Sequence, residues 1–165
     1  MKPIPIENRS RTQPFVIGGC IVKKDNKFLL VQEGVKDKGS WNQPAGWLDL
    51  YEDIIDGAKR EAEEETGLKI KIVGFLGVYP IIKKSDGVLY HSVKFIFAAT
   101  PLTEELKPDT NEIMDVKWFN IDEIKKLKEN KILRDNDIIN EVQDYIDGKI
   151  FPTEIVNKCY EQADN

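Results

Sequence analysis

Cysteine and histidine are almost missing from this 165-residue chain, which has two cysteines, Cys20 and Cys159, and one histidine, His91. With no CxxC pair and no cysteine near another, a disulfide framework and a zinc ribbon are both excluded. Cys20 sits in an apolar strand pattern and His91 in a strand pattern between Tyr90 and Ser92, so both read as structural residues. Positive charge is in deficit as well: 24 Lys and Arg stand against 29 Asp and Glu, a formal net charge of -5. That is the wrong sign for a protein whose affinity comes from neutralising a nucleic-acid backbone, so duplex binding is not expected. Long apolar runs are missing too. The longest, residues 15–22 and 75–82, are about half of what a bilayer span requires, and the polar stretch 1–11 lacks the apolar core of a signal peptide. A cytoplasmic location without a membrane partner is the expectation.

What is present is the material of a folded domain. Hydrophobic residues make up 41% and charged residues 32%, too apolar for a disordered chain and close to globular averages. The length predicts one domain over residues 1–165, with a C-terminal helical extension from about residue 131. Residues 15–22 (FVIGGCIV) and 27–32 (KFLLVQ), joined by KKDN, read as a β-hairpin. Residues 33–49 carry Gly34, Gly39, Pro44 and Gly46 without a sustained period, and read as a loop with a short strand near its end. Loops of this length inside a domain are usually functional.

A helix is predicted to open at Asp53, an N-cap residue type, and to stop at Gly67, the type favoured just past a helix end. Strands follow at 69–82, with Gly74 as a bulge, at 88–99 after the turn 85–87, and at 115–119 after an acidic loop. Asn120 and Glu123 have the form of a capping box opening a helix over 121–129. Ile138, Ile139, Val142 and Ile146 make a helical stripe over 137–147 that Gly148 closes, and 153–161 reads as a last short helix.

The charges on the helix after Asp53 are poorly placed for stability. At 100° per residue, Glu61, Glu64 and Glu65 share an arc of about 100°. Like-charge pairs at these spacings cost roughly 0.2–0.5 kcal/mol each, and acids in a last turn oppose the helix dipole by about 0.3–1 kcal/mol. Ile55, Ala58 and Ala62 form the neighbouring apolar stripe, which puts the acids on the border between core and surface. A solvated acidic face is one reading. A site for a hard divalent cation with oxygen ligands is the other, because the cation converts repulsion into coordination.

The pattern around these acids decides between them. Gly46, five residues, Glu52, seven residues, then Arg60-Glu61-Ala62-Glu63-Glu64-Glu65-Thr66-Gly67-Leu68 resembles the box of the Nudix (MutT-like) hydrolase family. Seven fixed positions coincide by chance at a given start with a probability on the order of 10⁻⁸. Three positions depart from the family's habit: Ala62 replaces a larger aliphatic residue, Tyr51 stands where many members have glycine, and Ala45-Gly46 replaces a Gly-Gly pair.

The resemblance implies an α+β fold, an α/β/α sandwich with a mixed parallel and antiparallel sheet between helices. It implies hydrolysis of a diphosphate linkage in a nucleoside di- or triphosphate or related nucleotide derivative, with Mg²⁺ or Mn²⁺, by water attack on phosphorus. Glu61, Glu64, Glu65 and the backbone carbonyl of Ala45 would be the metal ligands, and Arg60 an orienter paired with box acids such as Glu52. Gly46, Glu52 and Gly67 would be structural. The general base would be a box glutamate, Glu61 or Glu64, or the downstream Glu112. Trp41, Trp47 and Tyr79 are candidates to stack on a base, against a plain packing role, and Lys83, Lys84 and Lys94 are candidate phosphate contacts, against solvated charges. ADP-ribose or a nucleotide sugar is the alternative substrate. Relatives specific for ADP-ribose carry a proline about fifteen residues past the box, whereas Pro80 comes twelve past Leu68 and Lys83 takes the later place. A catalytically silent nucleotide-binding module is the reading from another class. The partner expected is a small-molecule nucleotide, and a homodimer is left open.

Overall fold

The computed structural model of the chain describes residues 14–35, 37–85, 88–108 and 111–159, with backbone only at 84, 85 and 88. The segment 1–11, the tip of the turn 85–87, the Lys84 side chain and the end of the helix expected at 153–161 lie outside the described residues. The elements run β1 (Phe15–Lys24), β2 (Lys27–Glu33), β3 (Trp41–Asn42), β4 (Ala45–Trp47), α1 (Ile54–Thr66), β5 (Ile70–Ser85), β6 (Val88–Pro101), β7 (Ile113–Phe119), α2 (Ile121–Glu129) and α3 (Ile138–Ile146). A 3₁₀ turn over Thr153–Ile155 replaces the expected last helix.

The sheet is mixed. β1 runs parallel to β6, from Phe15 opposite Ser92 to Val22 opposite Ala99, and β6 is antiparallel to β5. β1 and β2 pair only near their tight turn, at Lys23–Phe28 and Lys24–Lys27. Beyond that point the sheet splits. The free edge of β1 takes up β4 (Gly18 opposite Gly46), while β2 continues between β3 and β7. The end of β2, the β3–β4 segment and α1 meet at this split, which is where the site lies.

Alternation along the strands sends side chains to two cores. Cys20, Val22, Leu29, Val31, Phe97 and Ala99 face α1 through Ala58 and Ala62. Ile21, Phe28, Leu30, Ile96 and Ala98 face α2 and α3 through Ile124, Leu127, Ile138 and Val142. Helices therefore cover both faces, the α/β/α sandwich that the resemblance implied.

Helix α1 approaches β1 unusually closely. A Cβ on Gly18 would lie 2.9 Å from the backbone nitrogen of Ala58, and Ala58 and Ala62 are fully buried. Ala62, one turn further on, is buried in the same core, where a larger aliphatic group would have to displace its neighbours. α1 ends at Gly67 with φ 73°, donating its N–H to the Glu63 carbonyl. Asp53 has the extended backbone of an N-cap, but its carboxylate accepts the N–H of Cys159 and caps nothing. The capping box of α2 forms as expected between Asn120 and Glu123. β5 carries two bulges, one at Gly74 as expected and a second between Phe75 and Gly77.

Tyr51 has φ 68° and is 80% exposed. The left-handed conformation explains why glycine is common there: a Cβ costs roughly 1–2 kcal/mol in this region, against about 0.5–1 kcal/mol of extra chain entropy for glycine. Tyr51→Gly is therefore expected to raise the unfolding free energy by about 0.5–1 kcal/mol in urea titrations, and a loss of stability would contradict the strain.

Candidate active site

The box residues converge on the split in the sheet. α1 presents Glu61 and Glu65 to the backbone of β4, and the contact requires glycine there: a Cβ on Gly46 would lie 2.0 Å from the Glu61 carboxylate carbon. Glu65 accepts the N–H of Ala45 at 3.0 Å. This places the Ala45 carbonyl strand and the two carboxylates side by side.

Arg60 spans the cluster. Its guanidinium grips Glu52 in bidentate fashion, Nε to Oε1 at 2.8 Å and Nη2 to Oε2 at 2.9 Å. Its Nη1 reaches Glu61 at 2.8 Å and Glu64 at 3.1 Å. Fork-on-carboxylate pairing of this kind is among the stronger charged contacts, and it holds the Glu52 carboxyl below its ordinary range. Glu52 also accepts the Asp49 N–H and so closes the loop into α1. Glu64 is the exposed member, with a side chain 60% accessible. Glu63 turns away to Lys69 and the Ile70 N–H.

Glu61 and Glu65 have the reverse electrostatics. Burial pushes the Glu61 carboxyl up against the pull of Arg60, with Glu64 and Glu52 adding to the rise. Glu65 is raised well above the usual range by burial first, then by the charges of Glu33 and Glu61, against the Ala45 hydrogen bond. Among the described residues Glu65 has no ion-pair partner. Its neighbour Glu33, from the end of β2, was not marked by any sequence pattern; the split in the sheet brings it here. Glu33 is held by Asn42 Nδ2 at 3.1 Å and by the Arg134 guanidinium.

Glu112 is exposed at the entrance to β7, and its carbonyl accepts the Gly34 N–H at 2.7 Å. Its backbone is thus tied next to Glu33. Beside Ala45 and Gly46 opens a cavity with Ile17, Gln43, Trp47, Tyr90 and Arg134 on its walls.

Several aromatic and basic candidates lie elsewhere than expected. Trp41 is 6% exposed and packs edge-to-face on Phe119 with centroids 4.8 Å apart. Tyr79 packs on the α3 side and donates its hydroxyl to Asp144 at 2.8 Å. Neither lines the cavity, whereas Trp47, the third aromatic candidate, does so while resting on Phe15 with ring centroids 4.1 Å apart. Lys94 is neither a solvated charge nor free for phosphate: it is 2% exposed and lies 2.6 Å from Asp137 and 2.5 Å from Glu141. Lys83 bonds Asp37 at 2.9 Å. His91 is an exposed strand residue opposite Ile82.

The donor set fits a hard divalent cation: oxygens only, two half-buried carboxylates with Glu61 set against a glycine that leaves room for it, and charge repulsion that a cation would relieve. Among the described residues no three acidic, histidine or cysteine side chains already converge on one point. Arg60 draws Glu61 and Glu64 to itself instead.

Comparison with known proteins decides the family. The family model of the NUDIX domain matches residues 13–140. The chain belongs to the Nudix family. The phosphatase NudJ of Escherichia coli K12 is 29% identical over 147 residues, 87% of this chain and 91% of that protein. A NUDIX hydrolase from Nitrosomonas europaea superposes with a TM-score of 0.79 at 31% identity, covering 90% of this chain and 98% of that one. An ADP-ribose pyrophosphatase from Streptococcus suis superposes at 0.52 with 25% identity, covering 67% and 76%. This Nudix protein is thus a Nudix-type hydrolase, and its reaction is hydrolysis of a diphosphate linkage in a nucleotide derivative. Nudix hydrolases generally use a divalent metal. No helix among the described residues is long and apolar enough to cross a membrane.

The raised carboxyls make a stability prediction. A carboxyl that holds its proton more tightly in the fold contributes stability below its unfolded value, and that contribution is lost as pH rises through the folded value. With chelator present, Glu65→Gln should gain stability relative to the parent progressively above pH 4.5, the ordinary glutamate value. Urea unfolding of both proteins across pH checks this, and a pH-independent difference would contradict it.

Proposed function

We propose that this protein hydrolyses nucleoside di- or triphosphates or a closely related nucleotide derivative, using Mg²⁺ or Mn²⁺ held by Glu61, Glu64, Glu65 and the Ala45 carbonyl. The observation that carries the reading is Glu65: a half-buried carboxylate flanked by Glu33 and Glu61, hydrogen-bonded to the Ala45 N–H. A charge so placed costs stability unless something of opposite sign joins it, and a fold shaped only for stability would place an apolar side chain there.

Bound at these oxygens, a divalent cation would withdraw charge from the phosphate oxygens and acidify the attacking water. The chain's own residues set the geometry. Arg60, locked to Glu52, fixes the rotamer of Glu61 and keeps Glu64 at the rim, within reach of solvent. Glu64 at the rim and Glu112, whose backbone is tied to Gly34 beside Glu33, are the exposed candidates for the base that takes the proton of an attacking water. The cavity beside Gly46 receives the group carried by the diphosphate. Hydrolysis of ADP-ribose or another nucleotide sugar is the second reading, supported by the likeness to the Streptococcus suis enzyme.

Glu61→Gln and Glu65→Gln should each lower kcat by about 100-fold or more, as losses at a metal ligand do, with the fold intact or slightly more stable. A screen of nucleotides and ADP-ribose with Mg²⁺, with product identification, is the measurement. Retained turnover in both variants would remove these residues from the site. Of Glu64→Gln and Glu112→Gln, the one that removes the base should lose about 10²–10⁴-fold in kcat, and an equal, small effect of both would dismiss the pair.

A further inference from the structure

The cavity beside Gly46 has an unusual lining for a site that handles anions. Three cations are near it, and each is already matched. Lys94 lies against Asp137 and Glu141, Lys83 against Asp37 with Asp135 at 3.5 Å, and Arg134 against Asp37 and Glu33. Five carboxylates thus answer three cations, so that every cation on the wall is already paired. A phosphate or carboxylate has no unmatched cation to meet there.

Against this background stands an unpaired amide. Gln43 is 1% exposed, lines the cavity, and its Oε1 accepts no hydrogen bond among the described residues. Asn42 beside it is 4% exposed; its Nδ2 is committed to Glu33, which fixes the amide, and its Oδ1 is likewise without a donor. A buried acceptor without a donor costs about 1–3 kcal/mol, so two adjacent ones mark a place where a donor is missing. Gln43 is separated from Ala45 by Pro44 alone, whose carbonyl is fixed by the Cys20 N–H at 3.0 Å. The backbone at Gln43 is therefore held two residues from the Ala45–Glu65 contact, and both Gln43 and Ala45 line the same cavity.

We propose that Gln43 is a specificity-determining residue that selects a substrate whose ring carries an amino group, accepting its N–H at Oε1 in a cavity whose cations are already paired. This rests on the hydrolase reading, since the ring is placed by the diphosphate at Glu61 and Glu65. Trp47 and Tyr90 on the cavity wall supply faces for a planar ring. A site built to hydrogen-bond a donor discriminates strongly against the analogue that lacks it, because its own acceptor is then left buried and unpaired.

Two matched pairs test this in the full-length protein: adenosine against purine riboside, and cytidine against pyrimidin-2-one riboside, each pair differing by the amino group. As 5′-diphosphates with Mg²⁺ they report kcat/KM. As nucleosides without metal they report affinity by calorimetry, independently of hydrolysis. In at least one pair the amino member should be favoured by about tenfold or more in both measurements, and Gln43→Met, close in volume, should bring the ratio to within about twofold. Equal values within both pairs for the parent protein would overturn the proposal, whatever the variant does, and so would a ratio unchanged in Gln43→Met. Affinity discrimination without turnover of any diphosphate would uphold the Gln43 assignment and refute the hydrolase reading.

Discussion

Two carboxylates packed between a helix and a strand backbone set the constraint on which the rest of this molecule depends. Glu61 fills the space left by Gly46 and Glu65 bonds the Ala45 N–H, so α1 cannot be docked without taking negative charge out of water. Burial of this kind favours the protonated form, and the neighbouring Glu33 makes it worse. The fold tolerates the cost because α1 is secured elsewhere: Ala58 lies tight against Gly18, Ala62 is buried in the same core, and Arg60 ties the helix to Glu52 and the loop before it. Stability is supplied on one face of the helix and given up on the next, a division that is ordinary at functional sites.

The split in the sheet is the second half of the arrangement. Had β2 stayed paired with β1 along its length, β4 would have had no edge to join and Glu33 would lie far from Glu65. β2 leaves after the Lys23–Phe28 pair instead, and β4 takes its place beside Gly18. The segment between α2 and α3, with the first turn of α3, then closes the opening from the far side, contributing Arg134 to Glu33 and Asp37 and setting Asp137 and Glu141 around Lys94. The C-terminal part of the chain is thus built into the cavity wall.

The box was legible in the sequence because its residues are contiguous and share one helix, where spacing maps onto geometry. Asp53 to Gly67 bounds α1 as expected, the stripe Ile55, Ala58, Ala62 faces the core, and the left-handed Tyr51 gives a physical reason for a departure noticed in the letters alone. Glu33, Arg134 and Gln43 were not legible, since each reaches the site through strand pairing that no local pattern encodes. The aromatics misled for a related reason. β5 carries two bulges before Tyr79 whose face exchanges cancel, and the side chain is claimed by a distant partner instead, Asp144 of α3. In the short segment after β2, Trp41 turned to the core while Gln43 took the cavity, and residue type alone could not order them.

The central claim is that a divalent cation relieves the repulsion at Glu61 and Glu65. Calorimetric titration of the protein with Mn²⁺ or Mg²⁺ in buffers of different ionisation enthalpy tests it most directly, because carboxyls that hold protons must release them to bind metal. The account predicts stoichiometric uptake with proton release, the release diminishing in Glu65→Gln. Absence of uptake at millimolar metal, with and without a nucleotide present, would contradict it.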